Sequence, residues 1–397
     1  MIYLDNSATT FPKPESVIEA ISGFMRNTCA NPGRSGHKMA QETNREILMA
    51  RMELSELLGV QNPMQTVFTK NASEALNMAI NGYLSQGDHV VTSCMEHNSV
   101  LRPLHFLEEE GFISLTIVDS DDEGFVHAKD IQKAINWETT LVAVTHASNL
   151  TGSINDIEEI ADMIKKENES RTNNSRTNNS RTNNRIALLV DAAQTAGFAD
   201  IDMTEMGIDL LAGAGHKCLY GPTGTGFLCV NEHIKLRPVY RGGTGSISES
   251  LEQPDFMPDM LETGTLNAAG IAGLRAGVAY IRENGIEKLR EKQQNHIARL
   301  IRELSSIDGV TLFGTRNASK RAGAVAINIR DRDSQEITHL LSSEYDIATR
   351  GGKHCAPLAH TRMGTLEQGM VRISVSSFTT DNDIESVIQA VRELAQE

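Results

Sequence analysis

The residues with the clearest chemical potential lie in Ala212-Gly213-Ala214-Gly215-His216-Lys217-Cys218-Leu219-Tyr220-Gly221-Pro222, where one lysine sits among small residues after an apolar run. Small neighbours leave room for a flat ring over the ε-amino group, burial lowers the basicity of the amine, and a preceding strand fixes its position. Lys217 is therefore a candidate imine-forming amine. Taken alone, a loop lysine is ordinarily a solvated surface residue. The upstream stretch Leu188-Leu189-Val190-Asp191-Ala192-Ala193-Gln194 changes that reading. It has the pattern of a buried strand ending in an acid, and a carboxylate at a strand's C-terminal end can reach the nitrogen of a heteroaromatic ring.

A second cluster lies in Thr349-Arg350-Gly351-Gly352-Lys353-His354-Cys355-Ala356-Pro357, a glycine-containing loop that carries a thiol. Cationic neighbours favour the thiolate, so Cys355 beside Lys353 and His354 reads as a nucleophile. Cys29, Cys94, Cys218 and Cys229 lack such settings and read as small apolar residues. The five cysteines are scattered without a CxxC pair, which argues against a disulfide framework and a structural zinc site. Two arginines offer planar, bidentate recognition of a carboxylate: Arg350, and Arg372 within the apolar strand Met370 to Ser374. An arginine inside such a strand is costly without an anionic partner. Ser73 follows the strand-like Thr66-Val67-Phe68-Thr69 near a helix start, so the free N–H groups at Ala72 and Ser73 can hold an anion, although an ordinary cap has the same pattern. His37 lies in a two-glycine loop that leads into a long amphipathic helix; it is a candidate site residue, although most loop histidines are solvated.

The elements that must position these residues alternate along the chain. Strands are expected at 89–93, 115–118, 141–145 and 186–190, with helices at 99–110, 128–136 and 155–166 between them. Near-continuous apolar strands alternating with helices imply a mostly parallel α/β sheet covered on both faces. Ligands of such sheets gather at the strands' C-terminal ends. Glu96-His97-Asn98, Ser148-Asn149, Asp191 with Gln194, and His216-Lys217 all follow such ends. Past Gly242-Gly243-Thr244-Gly245 the order becomes mixed, which marks a smaller α+β domain. The expected division is an N-terminal arm over 1–14, a large domain over 15–260 and a small domain over 261–397.

Composition bounds the rest. A net charge of −15, with 37 Lys plus Arg against 52 Asp plus Glu, disfavours a nucleic-acid binder working by phosphate neutralisation. The start lacks the basic and apolar regions of a signal peptide and no apolar run approaches a membrane span, so a cytoplasmic protein with no membrane partner is expected. Residues 171–184 repeat Arg-Thr-Asn-Asn-Ser without an apolar residue and are expected to form a low-complexity surface insertion with nothing to pack.

Together these motifs resemble the class V aminotransferase fold, fold type I of the pyridoxal-phosphate enzymes, and within it the cysteine desulfurase and selenocysteine lyase family. The resemblance spans essentially the whole chain apart from the repeat. It rests on Asn6 to Thr10, Asn31-Pro32-Gly33-Arg34, Glu96-His97-Asn98, Asp191 to Gln194, Gly215-His216-Lys217, Tyr220 to Gly224, Gly264-Thr265, Arg350 to Cys355, and Arg372. It implies pyridoxal 5'-phosphate as cofactor, attached to Lys217, with Asp191 at the ring nitrogen and His97 on the ring face. It further implies Asn149 and Gln194 at the ring oxygen, Ser73 and His216 at the phosphate, and Thr265 reaching the phosphate site of a neighbouring subunit, hence a homodimer. Arg372 becomes the substrate carboxylate clamp, Arg350 its assistant, and Cys355 the sulfur acceptor. The implied reaction converts L-cysteine to L-alanine with a persulfide left on Cys355, for delivery to a sulfur-acceptor protein. Three positions depart from the family pattern: Ala214 replaces a common Ser, Ala72 a common Thr, and Gly351-Gly352-Lys353-His354 the usual Thr-Gly-His-His. The first two imply weaker phosphate anchoring. A selenocysteine lyase acting on L-selenocysteine, another lyase or aminotransferase of the same class, and a silent scaffold for sulfur carriers remain alternatives.

Overall fold

The computed structural model describes residues 1–33, 36–173 and 185–397. The chain opens with β1 (Ile2–Tyr3), α1 (Glu15–Asn27) and α2 (Lys38–Leu57). It then alternates through β2 (Thr66–Thr69), α3 (Ala72–Tyr83), β3 (Asp88–Ser93), α4 (Asn98–Glu109), β4 (Ile113–Val118), α5 (Ala128–Ala134), β5 (Thr139–Thr145), α6 (Ile157–Asn173) and β6 (Ala187–Asp191). There follow β7 (Leu210–Ala214), β8 (Gly226–Val230), α7 (Ala268–Asn284), α8 (Ile286–Leu304), β9 (Val310–Phe313) and β10 (Ala324–Ile329). The last elements are α9 (Ser334–Tyr345), β11 (Ile347–Ala348), α10 (Pro357–Arg362), β12 (Val371–Ser374) and α11 (Asp381–Gln396).

One sheet of seven strands runs in the order β2-β8-β7-β6-β5-β3-β4. Its pairs are parallel except that β8 runs antiparallel to both β7 and β2. Every residue of β6 and β7 is buried, which explains why these strands read as apolar runs instead of alternating ones. The mostly parallel α/β architecture agrees with the expectation. A second, antiparallel sheet of order β12-β10-β9 has its own core, in which Leu300, Val325, Val371 and Ile388 pack. The expected division at 260/261 precedes α7, whose Ile271, Leu274 and Val278 pack into the core around the large sheet. Among the described residues no helix is long and apolar enough to cross a membrane.

The first residues do more than lead into the large sheet. β1 pairs in parallel with β11, and Leu4 is buried in the core of the small sheet. The arm then crosses to the lysine loop. Thr10 N–H and Thr9 Oγ each donate to the His216 carbonyl at 3.1 Å, Lys13 Nζ donates to the same oxygen at 2.7 Å, and Thr10 Oγ donates to the Lys217 carbonyl at 2.8 Å. A segment that reads as a polar turn thus joins the two sheets at Lys217.

The expectation that 171–184 packs against nothing is corrected at its first residue. α6 continues past the expected end at 166 to Asn173, and the Arg171 side chain is only 3% exposed. Its guanidinium donates to the Thr139 carbonyl at 2.7 Å and the Asn136 carbonyl at 2.5 Å, and lies 5.8 Å from the Trp137 ring centre. The carbonyls of Asn136, just before β5, and of Thr139, its first residue, supply the partners that local sequence cannot show. The remainder of the repeat, 174–184, lies outside the described residues.

Candidate active site

A cavity of about 210 Å³ opens where the central strands end. Of the residues expected at a site, Ala72, Ser73, His97, Asn149, Asp191, Gln194, His216, Lys217, Arg350 and Arg372 line it. Parallel pairing explains the convergence: Asp191 ends β6 opposite Thr145 of β5 and Ala212 of β7, so three strand ends fall side by side. Gly215 lets the lysine loop leave the sheet, because a Cβ there would meet Thr225 Oγ at 2.3 Å.

Burial sets the protonation states. It lowers the Lys217 amine below an ordinary lysine, with Asp191 opposing, and raises the Asp191 carboxyl, with the Ala193 N–H and Lys217 opposing. Asp191 Oδ1 accepts from Ala193 N–H at 2.9 Å. His97 caps α4: its Nδ1 accepts from Ser99 N–H at 3.1 Å and lies 2.9 Å from Ser99 Oγ. Nδ1 is therefore an acceptor and the ring proton sits on Nε2. Burial first, then Lys217 and Arg350, push His97 down to about 4, so it is neutral near pH 7. His216 is pushed to about 4 by burial and by Lys217 and Lys13, and its buried Nδ1 has no hydrogen-bond partner among the described residues. Beneath His97, Glu96 is fully buried, accepts from Ser93 Oγ at 2.5 Å and Thr145 N–H at 2.9 Å, and is raised by burial to about 8.

Arg372 is 1% exposed and already paired: Nη2 donates to Asp5 Oδ1 at 2.7 Å and Nη1 to the Asn149 carbonyl at 2.8 Å. Its Nε is buried without a partner among the described residues and remains for a further acceptor. Asp5 is thus the anionic partner that the apolar strand required, contributed from 367 positions away, and no local signal in the sequence marks it.

Cys355 is exposed and adjoins the wall residue His354. Both residues adopt left-handed backbone, φ 51° at His354 and 56° at Cys355, a conformation that costs on the order of 1–3 kcal/mol per non-glycine residue. Two hydrogen bonds hold this turn: Asn149 Nδ2 donates to the His354 carbonyl and Asn98 N–H to the Cys355 carbonyl, each at 2.7 Å. The turn that carries Cys355 is therefore held by two residues at the site: Asn149, which lines the cavity, and Asn98, next to His97. One expectation fails here. His354 is buried, and burial followed by Arg372 pushes it down to about 3, so it brings no positive charge to Cys355, while the Lys353 ammonium turns to the Leu366 carbonyl.

Besides Cys355, which is not among the lining residues, two expected residues do not reach this cavity. His37 stands exposed at the N-cap of α2, its Nδ1 accepting from Ala40 N–H at 3.3 Å, and Thr265 is exposed on the loop before α7. Conversely, Ser7, Asn71, Ser99 and Thr145 line it without having been singled out. Ser99 alone had a usable signal, being a hydroxyl two residues after His97 at a helix start.

A strand-end lysine facing a buried acid, on a mostly parallel sheet with a second smaller sheet, defines a fold type I transferase. The chain belongs to the class V aminotransferase family: it matches the family described as Aminotransferase class-V over residues 2–171 and 176–387. A relative from Methanothermobacter thermautotrophicus, called a probable cysteine desulfurase, is 31% identical over 99% of this chain and 94% of its own length. A cysteine desulfurase of Clostridium botulinum is 31% identical over 100% of this chain and 94% of its own. Among solved structures, the apo cysteine desulfurase of Thermococcus onnurineus superposes with a TM-score of 0.90 at 30% identity, covering 100% of this chain and 94% of that one.

Proposed function

We propose that this chain is a pyridoxal 5'-phosphate-dependent cysteine desulfurase, which converts L-cysteine to L-alanine and leaves the sulfur on Cys355 as a persulfide. What carries the reading is a buried lysine and acid in one cavity, together with an exposed cysteine that directly follows the cavity-lining His354. The residues present fit the cofactor: Asp191 suits a ring nitrogen, the orphaned His216 Nδ1 and the α3 N-terminus suit a phosphate, and the orphaned Arg372 Nε suits a substrate carboxylate.

When bound, the cofactor supplies an aldehyde for attachment to an amine and a ring that takes up electrons from the substrate's α-carbon. Lys217, its basicity lowered by burial, takes the α-proton as a neutral amine and returns a proton to carbon. His97, held neutral, would lie on the ring face and stay uncharged while protons move nearby. Asn149 and Gln194 would hold the ring oxygen, and Ser73 and His216 the phosphate. Arg372, aided by Arg350, fixes the carboxylate. The Cys355 thiolate attacks the substrate sulfur, so an S–S bond forms as the C–S bond breaks. The electron pair of that bond stays with the carbon and ends as a C–H bond, which gives alanine without an outside oxidant or reductant.

Thr265, exposed and outside its own chain's cavity, supports a homodimer in which it reaches the partner's phosphate site. We place the enzyme in the cytoplasm, passing sulfur to an acceptor protein. The deciding experiment compares Cys355→Ala with the parent on L-cysteine and L-selenocysteine. Carbon–selenium bonds break more readily, so the variant should lose sulfur transfer and keep appreciable selenium release. Equal activity of variant and parent on L-cysteine would remove the persulfide step.

A further inference from the structure

At the cavity floor two helix starts meet. Ser73, in the first turn of α3, has its Oγ 2.6 Å from Ser99 Oγ, in the first turn of α4. Ser99 Oγ in turn lies 2.9 Å from His97 Nδ1. Three groups from two helices thus form one chain of contacts, Ser73–Ser99–His97, and all three line the cavity.

The proton count along this chain is limiting. His97 Nδ1 is an acceptor, because the Ser99 N–H already points at it. Each hydroxyl has one proton. If the Ser99 hydroxyl donates to His97 Nδ1, the Ser73 hydroxyl donates to Ser99, and no hydroxyl proton is left for the cavity. If Ser73 turns its proton toward an anion, its oxygen becomes the acceptor for Ser99, and His97 Nδ1 keeps only the backbone N–H. The two arrangements exclude each other. Ala72 and Ala214 also line the cavity and carry no hydroxyl, so neither supplies a proton to this chain.

We propose that Ser99 is a positioning residue that couples phosphate occupancy to the ring-face histidine: a phosphomonoester at the α3 N-terminus reverses the Ser73–Ser99 hydroxyl chain and withdraws one hydrogen bond from His97 Nδ1. The inference rests on the pyridoxal-phosphate reading of the cavity. An imidazole nitrogen that loses a donor has a freer lone pair and becomes more basic. Seating the phosphate therefore readies His97 for the ring that arrives with it, and Ser99 sets the cost of that seating, one hydrogen bond to His97.

The test uses the full-length apo chain with 15N-labelled histidines, titrated with inorganic phosphate, with His97→Gln assigning the signal. In the parent, the His97 Nδ1 resonance should move toward the position of a ring nitrogen free of a hydroxyl donor as phosphate saturates. In Ser99→Ala it should start near that position and stay there. Phosphate affinity should rise about 3- to 10-fold, because the variant binds without giving up the Ser99–His97 hydrogen bond. Ser99→Thr, which keeps the hydroxyl, should restore both behaviours. A His97 signal that responds alike in parent and Ser99→Ala, or that ignores phosphate in the parent, overturns the coupling. Adding pyridoxal 5'-phosphate to the same samples separates the two ideas. Lys217-dependent visible absorbance with an unresponsive His97 sinks the coupling alone, whereas a parent that develops no such absorbance sinks the cofactor reading and the coupling together.

Discussion

Removing Asp5 tests how the small sheet, the arm and the cavity are joined. In Asp5→Ala the Arg372 guanidinium, 1% exposed, keeps the Asn149 carbonyl but loses its counter-charge at 2.7 Å. Breaking a buried pair from one side costs roughly 3–5 kcal/mol. The Asp5 side chain is 22% exposed, so water recovers part of that loss and about 2–3 kcal/mol is expected. With about 2.1 cal/mol/K of unfolding entropy per residue, 397 residues give roughly 0.8 kcal/mol/K, so the melting temperature should fall by about 3 °C. The same change leaves Arg372 Nη2 open beside the orphaned Nε, so a carboxylate ligand should bind the variant more tightly. Scanning calorimetry of the holoenzyme with and without L-alanine reads both effects: the product should raise the melting temperature of Asp5→Ala more than that of the parent, and KM for L-cysteine should drop. Arg372→Ala should act oppositely and raise KM. A variant with the parent's melting temperature and the parent's KM would refute the account of Arg372 as a shared clamp.

Lys217→Ala should abolish turnover and the visible absorbance of the bound cofactor, and a variant that kept both would overturn the assignment of Lys217. Arg171→Ala removes donors to two carbonyls, each worth roughly 1–1.5 kcal/mol, and should lower the urea midpoint with little change in kcat; an unchanged midpoint would mean that these bonds add nothing to stability. Acid should destabilise the protein early. His146 and His360 are held to about 4 and His354 to about 3, all by burial, against 6.5 when unfolded. These folded-state values are depressed, so below pH 6.5 the unfolded chain binds protons that the folded chain refuses, and stability is lost as pH falls toward 4. Each such histidine contributes up to about 1.4 kcal/mol per pH unit in that window, and urea midpoints that stay flat between pH 6.5 and 4.5 would show the rings to be accessible to protons.

What the sequence by itself determined is whatever short-range pattern encodes. Apolar runs ending in polar residues placed Asp191, His97 and Lys217 at the ends of strands of a mostly parallel sheet, and a sheet of that kind gathers its strand ends. Glycines flanking a thiol marked Cys355. Tertiary structure decided the partners. Asp5 meets Arg372 only because β1 pairs with β11 beside β12, and Arg171 finds its carbonyls only because α6 packs back toward the start of β5. His354 carries no charge because folding buries it, although its sequence neighbours are cationic and glycine-rich. Likewise Ser73 and Ser99 lie 26 positions apart and become a hydrogen-bonded pair only when two helix starts converge. Periodicity and residue type are local properties that a sequence carries openly. The charge state of a buried group, and the partner that satisfies it, depend on what the rest of the chain brings within about 3 Å, a distance set by packing.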